Sequence, residues 1–125
     1  MRHFFLLIIF VSLSIPSIGQ VSVGNVDINQ SDSIKIVEVL VAEKLSKKFV
    51  DVFVDFGQKT NFKSGYLDNK ADDQRITDAA AKRQIQFKSA AALLNYMEAR
   101  NWQHYDSQIM HDSGRNLFYY YFRKK

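Results

Sequence analysis

The sequence predicts an α+β fold: a single domain in which an antiparallel sheet of four to five strands carries one main helix packed on one face, in the order β-β-(β)-α-β-β. Three observations carry that expectation. Apolar and polar residues alternate through Ile34–Glu43 and Phe49–Phe56; Ala90, Leu93, Leu94 and Met97 follow Ser89 at helical spacing; and two more β-rich runs, Trp102–Met110 and Leu117–Arg123, flank the turn residues Asp112-Ser113-Gly114.

The elements are taken in chain order. Residues 1–19 read as an export signal: Arg2 is basic, Phe4 to Ile15 is an apolar run of about 12 residues where a membrane-spanning helix needs ~20, Pro16 ends it, and Ser17-Ile18-Gly19 supplies small residues before Gln20. Cleavage there predicts a periplasmic or extracellular protein with no transmembrane segment. Residues 20–33 are polar and read as a flexible lead-in, with Val21, Val23, Val26 and Ile28 leaving room for a short edge strand. In the first strand Val37, Val39 and Val41 point one way and Ile36, Leu40 and Ala42 the other, so both faces are partly apolar. In the second, Val50, Val52, Val54 and Phe56 alternate with Asp51, Phe53 and Asp55. Gly57 to Gln84 reads as a surface excursion, with room for one helical turn over Thr77–Arg83 and a short strand at Ile85 and Phe87. Ser89 caps the helix, and Asn101 stands where a left-handed residue would end it, with Trp102 folding back towards Met97. In the last strand Phe118, Tyr120 and Phe122 are assigned to the core, and Leu117, Tyr119, Tyr121 and Arg123 to the opposite face.

Composition narrows the function classes. The 106 residues after the signal suffice for one modest core, and with no cysteine the fold is held by packing alone, without disulfides, thiolate metal sites or a lipidated cysteine. The net charge of +4 is terminal: after Arg2 there are 16 basic and 13 acidic residues, and without Arg123, Lys124 and Lys125 the count is 13 against 13. A phosphate-tracking groove needs basic residues spread over one face, so nucleic acid is a poor partner, and the three terminal charges read as solubilising an aromatic edge strand.

Catalytic groups are scarce. His104 and His111 are the imidazoles beyond the signal, and His111-Asp112-Ser113 places three triad residue types side by side in a turn, where they diverge. Two histidines seven residues apart do not make a zinc site. Asp51 and Asp55 share a strand face about 13 Å apart, beyond the ~9.5 Å limit of an inverting glycosidase pair. Asp68, Asn69, Asp72 and Asp73 lack the glycine and glutamate of a calcium loop. No metal or cofactor is expected. The remaining feature is aromatic: Tyr119 and Tyr121 on the outer sheet face, with Phe53 and Arg123, form the candidate binding set, since such rings bury area at small entropic cost.

The run Phe87-Lys-Ser-Ala-Ala-Ala-Leu-Leu-Asn-Tyr-Met, then Asn101-Trp102, then the closing Tyr119-Tyr120-Tyr121 strand resembles small exported proteins of unknown function from Bacteroidetes-type bacteria. Those share an F-x-S, a helix with L-N-Y-M, a G-W step and a last strand, and the likeness covers roughly Ile34 to the C-terminus. Asn101 replaces the usual Gly, a change that keeps the helix stop because asparagine tolerates the left-handed conformation. The resemblance implies a fold and a compartment, and carries no site residue. The function expected is a non-catalytic exported binding module, acting through the uncovered sheet face or the C-terminal strand edge on a protein partner or a second copy of itself. The alternatives are a small envelope hydrolase or enzyme inhibitor using the 57–84 excursion, and glycan or polyanion binding through Tyr119, Tyr121 and Arg123.

Overall fold

The structure, a computed structural model, describes residues 19–58, 74–112 and 114–125. Its elements are β1 (Ser22–Val23), β2 (Val26–Asp27), β3 (Ile36–Glu43), β4 (Asp51–Asp55), β5 (Ile76–Asp78), β6 (Arg83–Gln84), α1 (Ala90–Glu98), β7 (Trp102–Asp112) and β8 (Arg115–Lys124). The mixture of strands and one helix agrees with expectation, but the protein is predominantly β. The described residues form two four-stranded antiparallel sheets, β4-β3-β8-β7 and β2-β1-β5-β6, instead of the one expected.

The second sheet forms from segments whose polarity disguised them. Residues 20–33, expected as a flexible lead-in, turn at Gly24-Asn25 with Gly24 at φ 59°, the left-handed conformation a two-residue hairpin loop demands. That hairpin delivers Val21, Val23 and Ile28 fully buried to the core. The stretch Thr77–Arg83 makes a hairpin between β5 and β6 in place of a helical turn, and Phe87 pairs only as a single bridge to Val50. Of the excursion, residues 59–73 lie outside the described residues, and Asp68, Asn69, Asp72 and Asp73 with them.

Helix α1 is framed as its sequence dictates. The Ser89 hydroxyl accepts from the Ala92 amide at 3.1 Å, and Asn101 at φ 73° turns the chain into β7. Its Leu93 and Met97 are wholly buried, each contributing roughly 2–3 kcal/mol of transfer free energy. They join Val37, Val39, Val41, Val52, Val54, Ile76, Trp102 and Phe122 in the main core, with Phe118 and Tyr120 packed at its margin. The opposite sheet face carries a smaller cluster of Leu40, Ala42, Phe53 and Leu117 with Tyr119.

Two expectations about the C-terminus change. β8 is an interior strand, paired with β3 from Ile36↔Arg123 to Glu43↔Asn116 and with β7 on its other side, so the strand edge belongs to β7. Lys124 and Lys125 also do more than solubilise. Lys124 Nζ donates to the carbonyls of Asn29 and Ser31 at 3.1 and 2.9 Å, and Lys125 Nζ meets a Glu98 carboxylate oxygen at 2.9 Å. Among the described residues no helix is long and apolar enough to cross a membrane.

Candidate functional site

Strand pairing places the sequence-selected residues on one face. Tyr119 and Tyr121 of β8 lie opposite Leu40 and Glu38 of β3, and Phe53 of β4 lies opposite Leu40 on its other side. The shared face is as expected, but accessibility divides the set. Phe53 is only 1% exposed, under the Arg75 guanidinium at 4.0 Å from the ring centroid, so it supports the sheet instead of offering a ring to a partner. Tyr119 is half-buried against the small cluster.

At the other end of the face stands an open aromatic group. A β-bulge between His104 and Asp106 breaks the β7–β8 register and re-aims Tyr105, which is 43% exposed. Its ring lies 6.4 Å from that of Tyr121, and the Arg123 guanidinium is 5.2 Å from the Tyr105 centroid. A hydrogen bond to the Glu38 carboxylate, together with burial and the nearby charge of Asp106, raises the Tyr121 phenol above its ordinary 10.0. Sequence reading missed Tyr105 because the bulge sets its direction, and strict alternation cannot register an extra residue.

The long edge of the larger sheet adjoins this group. Among the described residues β7 pairs with β8 alone, and its eleven residues contain no lysine, arginine or proline. Beyond Trp102 it is open to solvent almost throughout, with Ile109 61% and Met110 54% exposed on opposite faces. The β4 edge is more guarded: Val50 is bridged by Phe87, and Asp51 is held by Lys47 at 3.0 Å and Arg75 at 3.5 Å.

Apart from one imidazole nitrogen, the polar groups named here are engaged locally. His111 Nδ1 lies 2.7 Å from Asn116 Oδ1, and Ser113 and the side chain of Asp112 lie outside the described residues. His104 packs edge-on to Tyr120 and Phe122, with its Nε2 buried and unpartnered. Asp55 accepts from the Gly57 amide, and among the described residues no group of three His, Asp or Glu is placed to hold a metal. A cleft of about 380 Å³ beside β1 and β5 is lined by Ser22, Thr77, Asp78 and Lys82, but Thr77 Oγ1 donates to the Gly24 carbonyl and Asp78 accepts from the amides of Ala80 and Ala81.

No family model, curated protein or solved structure matches this chain.

Proposed function

We propose that the protein is an exported, non-catalytic interaction module that takes a partner strand along the edge of β7. The β7 edge, which among the described residues has no strand on its outer side, carries this reading: the His104 amide is held by Glu98 at 3.2 Å and the Ser107 amide by Asp106 Oδ1 at 2.8 Å, a local bond that an incoming strand would replace, while Ile109 and Met110 project to either side and none of the basic residues that usually blunt such edges is present. The main-chain groups supply affinity, and Tyr105, Tyr121 and Arg123 flank the seam on one face as determinants of fit. Export, to the periplasm or beyond, rests on the apolar N-terminal segment and the small residues ahead of Gln20.

Affinity capture from a native envelope extract tests the reading, comparing the unaltered chain with Ile109→Lys/Met110→Lys. Both positions are exposed, so the fold should survive, as circular dichroism would verify, while edge lysines oppose strand addition. Partners held by the native chain and lost by the folded variant support the reading; identical capture by both sinks it. A glycan reading draws on the open Tyr105–Tyr121 pair beside Arg123 and predicts that Tyr105→Ser/Tyr121→Ser, with β7 intact, abolishes retention on a glycan array.

A further inference from the structure

We propose that the strand received by β7 is the β7 of a second copy, paired antiparallel about a two-fold axis at Gln108 to make one eight-stranded sheet. The proposal rests on the strand-addition reading above and names its partner.

The register follows from side-chain direction and charge. Beyond the bulge, Asp106, Gln108 and Met110 lie opposite Tyr121, Tyr119 and Leu117 on the outer face, while Ser107, Ile109 and His111 lie opposite Tyr120, Phe118 and Asn116 on the core side. Directly opposed residues of an antiparallel pair point to the same face, so a symmetric pairing must be centred on a residue and not between two. Centring on Ser107 runs into the bulge after three pairs. Centring on Ile109 opposes Asp106 to Asp112 twice, an arrangement of like charges that destabilises a ladder.

Centring on Gln108 gives five regular pairs from Asp106 to Met110 with no like charges opposed. Each Gln108 meets its own copy, whose amide both donates and accepts. Each Met110 arrives opposite Asp106, beside Tyr121, and each Ile109 arrives opposite Ser107, beside Tyr120. The two apolar side chains left most open on β7 are therefore covered on both faces by one symmetric contact. The bulge at Tyr105 ends regular pairing one residue beyond the seam, which fixes its length.

The test uses the chain expressed from Met1 and purified from the fraction where it accumulates. Sedimentation across a wide concentration range should show a monomer–dimer equilibrium, and Ile109→Lys/Met110→Lys should weaken it by about tenfold or more, since lysines on an edge oppose pairing. The absence of native cysteine allows a direct register measurement. In Gln108→Cys the two Cα atoms would lie about 4.5–5.5 Å apart across the axis, within disulfide reach, whereas in Gln103→Cys they would be roughly 33 Å apart.

Mild oxidation should thus cross-link the first variant and leave the second without a covalent link. A chain that remains monomeric at every concentration, a dimer indifferent to the double lysine change, or equal cross-linking of the two cysteine variants would overturn the proposal. A monomer that still loses captured partners on the double change would overturn self-pairing alone and leave the strand-addition reading standing.

Discussion

Asn29 joins three parts of the chain through one side chain. Its Oδ1 accepts from the Val21 amide at 3.1 Å and the Trp102 indole at 3.0 Å, and its Nδ2 donates to the Arg100 carbonyl at 2.7 Å, tying the first hairpin to the end of α1. Asn29→Ala leaves those groups without their partner and should cost about 3 kcal/mol, read as a lower denaturant midpoint at unchanged slope. Tyr121 offers a pH test. Its folded value is raised, chiefly by the bond to Glu38, so its stabilisation is whole below the ordinary 10.0 and is lost as pH climbs through the raised value. Glu38→Gln should therefore bring an earlier-titrating phenolate into the native absorbance titration; an unchanged titration would show that Glu38 is not the controlling group. Alternation sufficed to place Tyr119, Tyr121 and Phe53 on one face. It could not show that Arg75, distant in sequence, covers Phe53, nor that a bulge turns Tyr105 outward.

The four long strands and the helix were legible because each carries its own period and stop signals, down to the capping hydroxyl of Ser89 and the left-handed Asn101. β1 and β2 showed only as room for one short edge strand and β5 and β6 not at all, since strands of two or three residues are too short to show a period and the β1–β5 pairing that joins them is distant in sequence. The last strand was recognised but misplaced at the edge, because spatial order depends on pairings no local pattern encodes. Its terminal lysines clamp other elements: Lys124 binds the Asn29 and Ser31 carbonyls, and its ammonium lies 5.5 Å from the Trp102 ring centroid. Lys124→Ala should cost about 1–2 kcal/mol and speed proteolytic cutting between Gly24 and Lys35, where loss of charged hydrogen bonds loosens the segment. Equal cutting of both proteins would mean that the clamp does not hold this segment.

At the scale of the whole molecule, one core joins segments from both ends of the described chain. Ile28, fully buried with Trp102 and Phe122, should cost about 3 kcal/mol when changed to alanine, a core-sized loss that a detached leader would not show. Glu98 gives the acid limb. Bonds from Lys125 and the His104 amide hold its carboxyl below the ordinary range, so its contribution is present above the unfolded value and lost as pH falls through the folded one; Glu98→Gln should flatten that part of the stability profile. The central place of β8 also bears on time. The strand that joins β3 to β7 is the last of the described strands to be synthesised, so until residues 115–124 emerge the larger sheet exists only as the separate pieces β3–β4 and β7. Closure of the larger sheet therefore waits for residues 115–124. Assembly of the larger sheet is thus completed at its centre, by one strand that fastens two pieces having no pairing with each other.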